Sequence, residues 1–463
     1  MTAQGADSHD IISGMKTIAI IAEYNPLHQG HAWQIREARR RLGNDCAVMA
    51  IMSGPFTQRG EPALVDKWSR TKMALDAGVN LVFELPFAYA CGSAERFASG
   101  GVQLVQASGL DCHLVFGSEC GDLASLSAAA DILAREPEGY RELLQARLDQ
   151  GLSFPAARQQ AFAEWTGSRE QAALLGSSNN ILAIEYLKAI SRLPQSRLDP
   201  LTIRRFGQRY TARSLPEIEA LHDPGADGEY CPDAPPCFAS ATSIRLALEK
   251  RMSIGSRPDL AGMMLDLVSL LPSASLAELM ACVQAGPGPV FPSRFASLIL
   301  SQLRSRQAAD IDQIAGMSEG LGRRLMAASS RPSIADPDNP AACQLETLLR
   351  DADTRRFTRT RIQRALMSLI CGLTQADLDL FDRSGGPQYL RVLGFDSRGR
   401  YLLKIMRRLA EIPVMTKASD FLEYGGSPAL VRMADLDRIA ADVWSQAAGQ
   451  PCGRDFDTPV LMR

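Results

Sequence analysis

TIAIIAEYNPLHQGHAWQIREA, residues Thr17 to Ala38, reads as a buried strand, a turn and a helix. Thr17 to Ala22 is an apolar, β-branched run of the length a core strand has. The Asn25-Pro26 pair within Glu23-Tyr24-Asn25-Pro26 marks a chain reversal. From about Gln29, Ala32, Ile35, Ala38 and Leu42 recur at helical spacing. His28 and His31 sit at the join as His-x-Gly-His. A strand that turns into a helix leaves free backbone N–H groups at the mouth of the sheet. Gly30 is expected to keep side chains clear of a bound phosphate. Two imidazoles three residues apart can both donate to that phosphate. The plain alternative is two surface histidines in a turn. The preceding strand and following helix favour a nucleotide phosphate site.

At 463 residues the chain is too long for one compact core, which predicts two or three domains. With 46% hydrophobic and 22% charged residues it has the composition of a soluble globular protein, and a net charge of -2 excludes a surface basic all over. None of the ten cysteines lies in a Cys-x-x-Cys pair and there are only five histidines, so no metal-ligating residues are assigned. Most cysteines fall in apolar runs and read as reduced core residues, which together with the lack of a secretory signal points to the cytoplasm. Residues 1–14 read as a disordered leader, and no run reaches the length of a membrane span.

Strands and helices then alternate. Strands are expected at Cys46 to Met52, Asn80 to Leu85, His113 to Phe116 and Leu201 to Phe206, with helices at Asp66 to Ala77, Ser93 to Ala107 and Ile181 to Ile190. This order predicts an α/β fold, a Rossmann-like domain with a parallel sheet over residues 15–250. The loop Ser53 to Pro62, carrying Gln58, Arg59 and Glu61, follows a strand where such sheets build their sites. Asn179 and Asn180 exceed what a helix cap needs and suggest base or ribose recognition.

From about residue 255 the strand signals fade, which predicts a mainly α-helical domain over 251–463. Linkers are expected at 222–237 and 331–341. Arg323, Arg324, Arg350, Arg355, Arg356, Arg359, Arg361 and Arg364 form one basic stretch. Arg391, Arg398, Arg400, Lys404, Arg407 and Arg408 form a second. A solvated helix face normally mixes in Glu and these runs do not, so they read as a polyanion-binding surface. Tyr389, Phe395 and Tyr401 among them are candidates for base stacking, with core packing as the alternative.

Together these segments resemble the bacterial tRNA(Met) cytidine acetate ligases, within the His-x-Gly-His nucleotidyltransferase superfamily. The matching segments are EYNPLHQGH at 23–31, MSGPFTQRGEPALVDKWSRTKMAL at 52–75, NLVFELPF at 80–87, FGSE at 116–119, SNNILAIEYLKA at 178–189, TRTRIQRAL at 358–366 and YLRVLGFDSRGRYLLK at 389–404. They run in family order across most of the chain.

The resemblance implies ATP-dependent activation of acetate to acetyl-adenylate and transfer of the acetyl group to N4 of the wobble cytidine of elongator tRNA(Met). It implies catalysis by His28 and His31, with Mg2+ on the pyrophosphate. ATP would lie along Ile21-Ala22-Glu23-Tyr24-Asn25-Pro26-Leu27-His28-Gln29-Gly30-His31-Ala32-Trp33-Gln34. Gly117, Asn179 or Asn180, and Arg204 or Arg205 would complete its site. The tRNA-binding candidates are Arg355, Arg359, Arg361, Arg364, Arg398, Arg400 and Lys404. One departure is Ser243, within Ser240-Ala241-Thr242-Ser243-Ile244-Arg245, where the superfamily often has lysine; its loss removes a phosphate-pairing charge. Two other readings share the first motif. A small-molecule nucleotidyltransferase leaves the arginine-rich half unexplained. A non-catalytic RNA-binding protein with a residual nucleotide fold would fit the missing lysine.

Overall fold

The computed structural model describes residues 16–206, 215, 238–252, 259–286, 288–331, 340–417, 420–423 and 427–463. The leader 1–14, the linker 222–237, Cys231, Cys237 and most of the 331–341 loop lie outside them.

β1 (Thr17–Ala22), β2 (Ala47–Ser53), β3 (Leu81–Leu85), β4 (Cys112–Ser118) and β5 (Leu198–Arg204) form a parallel array in the order β5-β4-β1-β2-β3. Each follows the expected run to within a few residues. In β1, Ile18 and Ile20 belong to the core on one face and Ala19 to the core on the other, with Ile21 packed against it. This is the alternation a strand imposes on a sheet covered on both sides. The chain moves outward from β1 through β2 to β3, then returns to lay β4 against the other side of β1. That reversal opens a crevice at the carboxyl ends of β1 and β4.

Three further strands extend the sheet. β6 (Leu390–Phe395) pairs antiparallel with β3, and β7 (Val414–Met415) and β8 (Leu461–Met462) pair with β6. The expectation that strands fade beyond residue 255 is therefore corrected. Leu390, Val392 and Leu393 are buried, and the arginine that makes the run look like a basic surface is buried as well. Arg391 joins Lys67, Glu84 and Asp455 in an ion cluster, with Lys67 Nζ 2.8 Å from both Glu84 and Asp455 and Arg391 Nη1 2.7 Å from Asp455. Two cations and two carboxylates offset one another, which is what lets charge sit in a core. Tyr389 is likewise fully buried, its hydroxyl on Asp437, and does not stack on anything in solvent.

Both apolar cores take residues from both halves of the chain. The helix Ser397–Leu409 starts directly on β3: a Cβ on Gly399 would lie 2.0 Å from the Asn80 carbonyl. Asp396 caps that helix and accepts from Asn80 Nδ2 at 2.7 Å. Among the described residues no helix is long and apolar enough to cross a membrane. Cys46, Cys91, Cys112 and Cys371 are buried free thiols, while Cys452 is exposed.

Candidate functional site

A cavity of about 510 Å3 opens at the carboxyl ends of β1, β4 and β5. Its floor is the turn between β1 and α1 (Gln29–Leu42). His28 is the N-cap of α1, and two histidines form its capping box. His28 Nδ1 accepts from Gly30 N at 3.0 Å, and His31 Nδ1 accepts from His28 N at 3.2 Å. The rings stack with centroids 3.9 Å apart. Because each Nδ1 is an acceptor, each neutral ring carries its proton on Nε2. The backbone has thus set both tautomers so that each histidine offers one N–H donor. Gly30 is needed for a reason other than the one expected: a Cβ there would lie 2.9 Å from His28 Cε1, so glycine makes room for the folded-back ring. Tyr24, beside the pair, holds φ at 48°, a left-handed backbone that a bulky residue adopts only when its surroundings impose it.

Both imidazoles are held neutral. His28 lies well below its ordinary pKa through burial first, then through His31, Arg205 and Arg245. His31 is lowered to about 3 by burial and by Arg205. A histidine with a lowered folded-state pKa binds a proton more readily unfolded. Stability from it is therefore present above the unfolded value and lost as pH falls toward the folded one. The melting temperature should fall between pH 6.5 and 5, each fully buried histidine costing about 1.4 kcal/mol per pH unit. His31 should contribute less, since its edge meets the cavity. His28→Asn, which keeps a capping acceptor, should flatten that pH dependence; a melting profile parallel to wild type would contradict the assignment.

Arg205 approaches from β5. Its chain runs over Gly117 at the end of β4, where a Cβ would lie 3.0 Å from Arg205 Cγ. Arg204 points elsewhere and packs across Gly121. Of the expected pair, Arg205 lines the cavity and Arg204 does not. The asparagines divide similarly. Asn180 is buried, and its Oδ1 accepts from the N–H groups of Glu119 and Cys120 at 2.9 and 3.2 Å. Glu119 in turn caps the helix Ser178–Ser191, accepting from Asn180 N at 2.8 Å and Asn179 Nδ2 at 2.7 Å. FGSE and SNN are thus two halves of one clasp, with Asn179 on the cavity side. Trp33 meets Phe206 edge-on at 5.5 Å and Phe238 at 5.9 Å, giving the cavity an aromatic wall.

Ser243, where lysine was expected, is buried and lies behind that wall, donating its hydroxyl to the Ser240 carbonyl at 2.8 Å. Arg245 braces the turn instead, reaching the Asn25 carbonyl at 3.1 Å and Glu61 at 2.6 Å.

The far wall comes from the C-terminal half, which sequence reasoning did not foresee. Thr358, Thr360 and Arg364 line the same cavity. Gly60, at φ 74°, lies so close to the helix Arg359–Cys371 that a Cβ would be 2.4 Å from Arg364 N. Gly60→Ala should part the two halves and impair whatever the cavity does; full activity with a wild-type melting temperature would show that the contact is dispensable. Arg359 pairs with Glu346 at 2.6 Å, and Arg356 and Arg361 share Glu319 at 3.2 Å. The glutamates absent from the basic run are supplied by neighbouring elements. Arg355 is exposed without an ion pair among the described residues. Arg398, Arg400, Lys404, Arg407 and Arg408 project from the helix Ser397–Leu409 into solvent.

A family model described as HIGH Nucleotidyl Transferase matches residues 15–221 and 228–457. A tRNA(Met) cytidine acetate ligase of Acetivibrio thermocellus is 38% identical over 97% of this chain and all of that protein. The chain belongs to the tRNA(Met) cytidine acetate ligase family. The ligase of Caldanaerobacter subterraneus is also 38% identical, over 94% of this chain and 96% of its own. Among solved structures, Thermotoga maritima TmcAL bound with alpha-thio ATP superposes with a TM-score of 0.81 at 30% identity, covering 97% of this chain and 99% of that one.

Proposed function

We propose that this protein is an ATP-dependent acetate ligase that makes acetyl-adenylate and transfers the acetyl group to N4 of the wobble cytidine of elongator tRNA(Met). The observation that carries the reading is the pair of neutral imidazoles whose tautomers are set by the backbone beside Arg205. Acetate attack on the α-phosphorus puts charge on phosphoryl oxygens and on the departing pyrophosphate. That step needs positioned donors and a cation more than a covalent catalyst. His28 and His31 donate through Nε2–H, and Arg205 neutralises phosphate. The stretch Ile21 to Gln34 cradles the nucleotide, with Gly117 and Asn179 beside it and Trp33, Phe206 and Phe238 as the surface for adenine. Arg204 and Asn180 support their neighbours from behind. The relatives' printed names and the alpha-thio ATP in the Thermotoga maritima protein support this assignment.

Among the described residues no group of three or more His, Cys, Asp or Glu side chains is placed to hold a metal ion. Mg2+ would arrive on the triphosphate, held by phosphate and water, and supply charge neutralisation there. Acetate-dependent ATP–pyrophosphate exchange by the purified protein, absent without acetate, tests the first half-reaction.

The helix Ser397–Leu409 lies along the amino ends of the strands, with Arg398 on the Asn44 carbonyl and Gly399 against Asn80, and the tRNA is proposed to contact it while its anticodon reaches the cavity at the opposite end of the sheet. Arg400 and Lys404 are one turn apart and exposed, with no acidic residue on their helix. Arg398, on the same helix, holds the Asn44 carbonyl and Asp45. Arg355 stands apart before the helix Arg359–Cys371, where Arg359 and Arg361 would exchange their glutamates for phosphates and Arg364 would meet the substrate inside. Arg400→Ala with Lys404→Ala should weaken tRNA binding and reduce the slope of log affinity against log salt by about two units. An unaltered slope would remove this face from the interface. The cytoplasm is the compartment that this substrate implies.

A further inference from the structure

We propose that Glu23 is the proton acceptor for acetyl transfer, taking the proton from the attacking amine as the amide bond forms. The inference rests on reading the cavity as the acetyl-transfer site. It follows from what the cavity walls can and cannot do with a proton.

The exocyclic amine of cytosine is a poor nucleophile because its lone pair is delocalised into the ring. As that lone pair attacks the acetyl carbonyl carbon, the nitrogen gains positive charge. The carbon–oxygen bond to the adenylate phosphate then breaks, AMP leaves with the electron pair, and one N–H proton must be taken up. The base must stand in the cavity and still have a lone pair to offer.

Few groups qualify. The two histidines have spent their Nδ1 lone pairs on backbone N–H groups, which leaves Nε2 as a donor. Arg59, Arg205 and Arg364 are cations. Tyr24 and Tyr186 are both pushed above their ordinary range by burial, so neither phenol supplies an anion near neutrality. Two other carboxylates stand nearby but are committed: Glu61 to Arg245 at 2.6 Å, and Glu119 to the start of the Ser178 helix. Glu23 is the one carboxylate among the described residues lining the cavity.

Glu23 is also aimed. Its carbonyl accepts from Arg70 Nη1 at 2.9 Å, from a guanidinium that is itself fully buried. Its Oε1 accepts from Gln58 N at 2.8 Å. Oε2 has no hydrogen-bond partner among the described residues. One oxygen is therefore fixed by the loop after β2 while the other remains to receive a proton. Burial raises the carboxyl above its usual range, which makes it a stronger base than a surface glutamate.

The test compares two half-reactions in the full-length isosteric variant Glu23→Gln. Acetate-dependent ATP–pyrophosphate exchange reports activation. Single-turnover transfer from acetyl-adenylate to tRNA(Met) reports the step in question. Hydroxylamine capture of the same acetyl-adenylate reports transfer to a nucleophile strong enough to need no base. Transfer to tRNA should fall by about two to four powers of ten relative to exchange and to hydroxylamine capture. The acid limb of the wild-type transfer rate should also vanish. Transfer falling no more than exchange would overturn the assignment and leave Glu23 with no role beyond the nucleotide cradle. Wild-type transfer with its acid limb intact would overturn it in favour of the departing phosphate as acceptor. Wild-type protein that shows no acetate-dependent exchange would instead overturn the ligase reading, so the two failures are distinguishable.

Discussion

His31→Ala is expected to lower acetate-dependent pyrophosphate exchange by about two to four powers of ten, the range seen when a preorganised transition-state donor is removed. The loss has two parts. The Nε2–H donor to the phosphate disappears outright. His28 N also loses the acceptor that completes the capping box, so the stacked partner ring is left less fixed. The structural cost should be small, about 1 kcal/mol for a weakened cap. A folded variant with a near-wild-type melting temperature and almost no exchange is the expected outcome. Unchanged exchange would remove His31 from the phosphate site. His31→Asn can still accept from His28 N but cannot place a donor where Nε2 stood, and should recover the melting temperature more than the rate.

A chain ending at Lys250 is expected not to fold. Such a chain keeps β1 to β5, the expected catalytic half. It would nevertheless lose β6 from the open edge of β3 and leave buried Lys67 and Glu84 without Arg391 and Asp455. Lys67 and Glu84 still neutralise each other at 2.8 Å, so the larger loss is apolar: both cores take residues from the part removed, and the stability of about 5–15 kcal/mol typical of a folded protein does not survive exposing them. Exposed β3 would add an unpaired edge. Circular dichroism and limited proteolysis should show an unfolded or aggregated product. A soluble fragment with cooperative melting and acetate-dependent exchange would refute this. Asp455→Ala in the full chain, by contrast, leaves buried Lys67 and Arg391 with Glu84 alone and should lower stability by about 3–5 kcal/mol.

The first four strands were legible because they are largely buried on both faces and bounded by turns, so composition alone marks them; β5, half-exposed at the sheet edge, was read only from Leu201 onward. The histidine turn was legible because strand, glycine and helix fall at fixed spacing. β6 was not, because Arg391 looks like one more surface cation until Lys67, Glu84 and Asp455 are brought around it from distant positions. The choices between Arg204 and Arg205 and between Asn179 and Asn180 could not be made from adjacent identical residues. The first depends on which side chain passes over Gly117, the second on which amide meets the loop after β4. Ser243 was read as a missing charge, whereas its side chain is turned into the helix start. The far wall at Thr358, Thr360 and Arg364 belongs to a segment about 330 residues beyond the histidines, and no local pattern announces that contact. One signal pointed there: Gly60, in a loop already suspected of building the site, is a residue type that allows close backbone approach.

The central claim is tested most directly by incubating the full-length protein with ATP, labelled acetate and transcripts of elongator tRNA(Met) and other tRNAs, then analysing digested RNA by mass spectrometry. The account predicts N4-acetylcytidine at the wobble position of tRNA(Met) alone, dependent on both ATP and acetate and abolished by His31→Ala. Tight tRNA binding with no acetylcytidine, or transfer of a nucleotide to a small phosphorylated acceptor in its place, would contradict it.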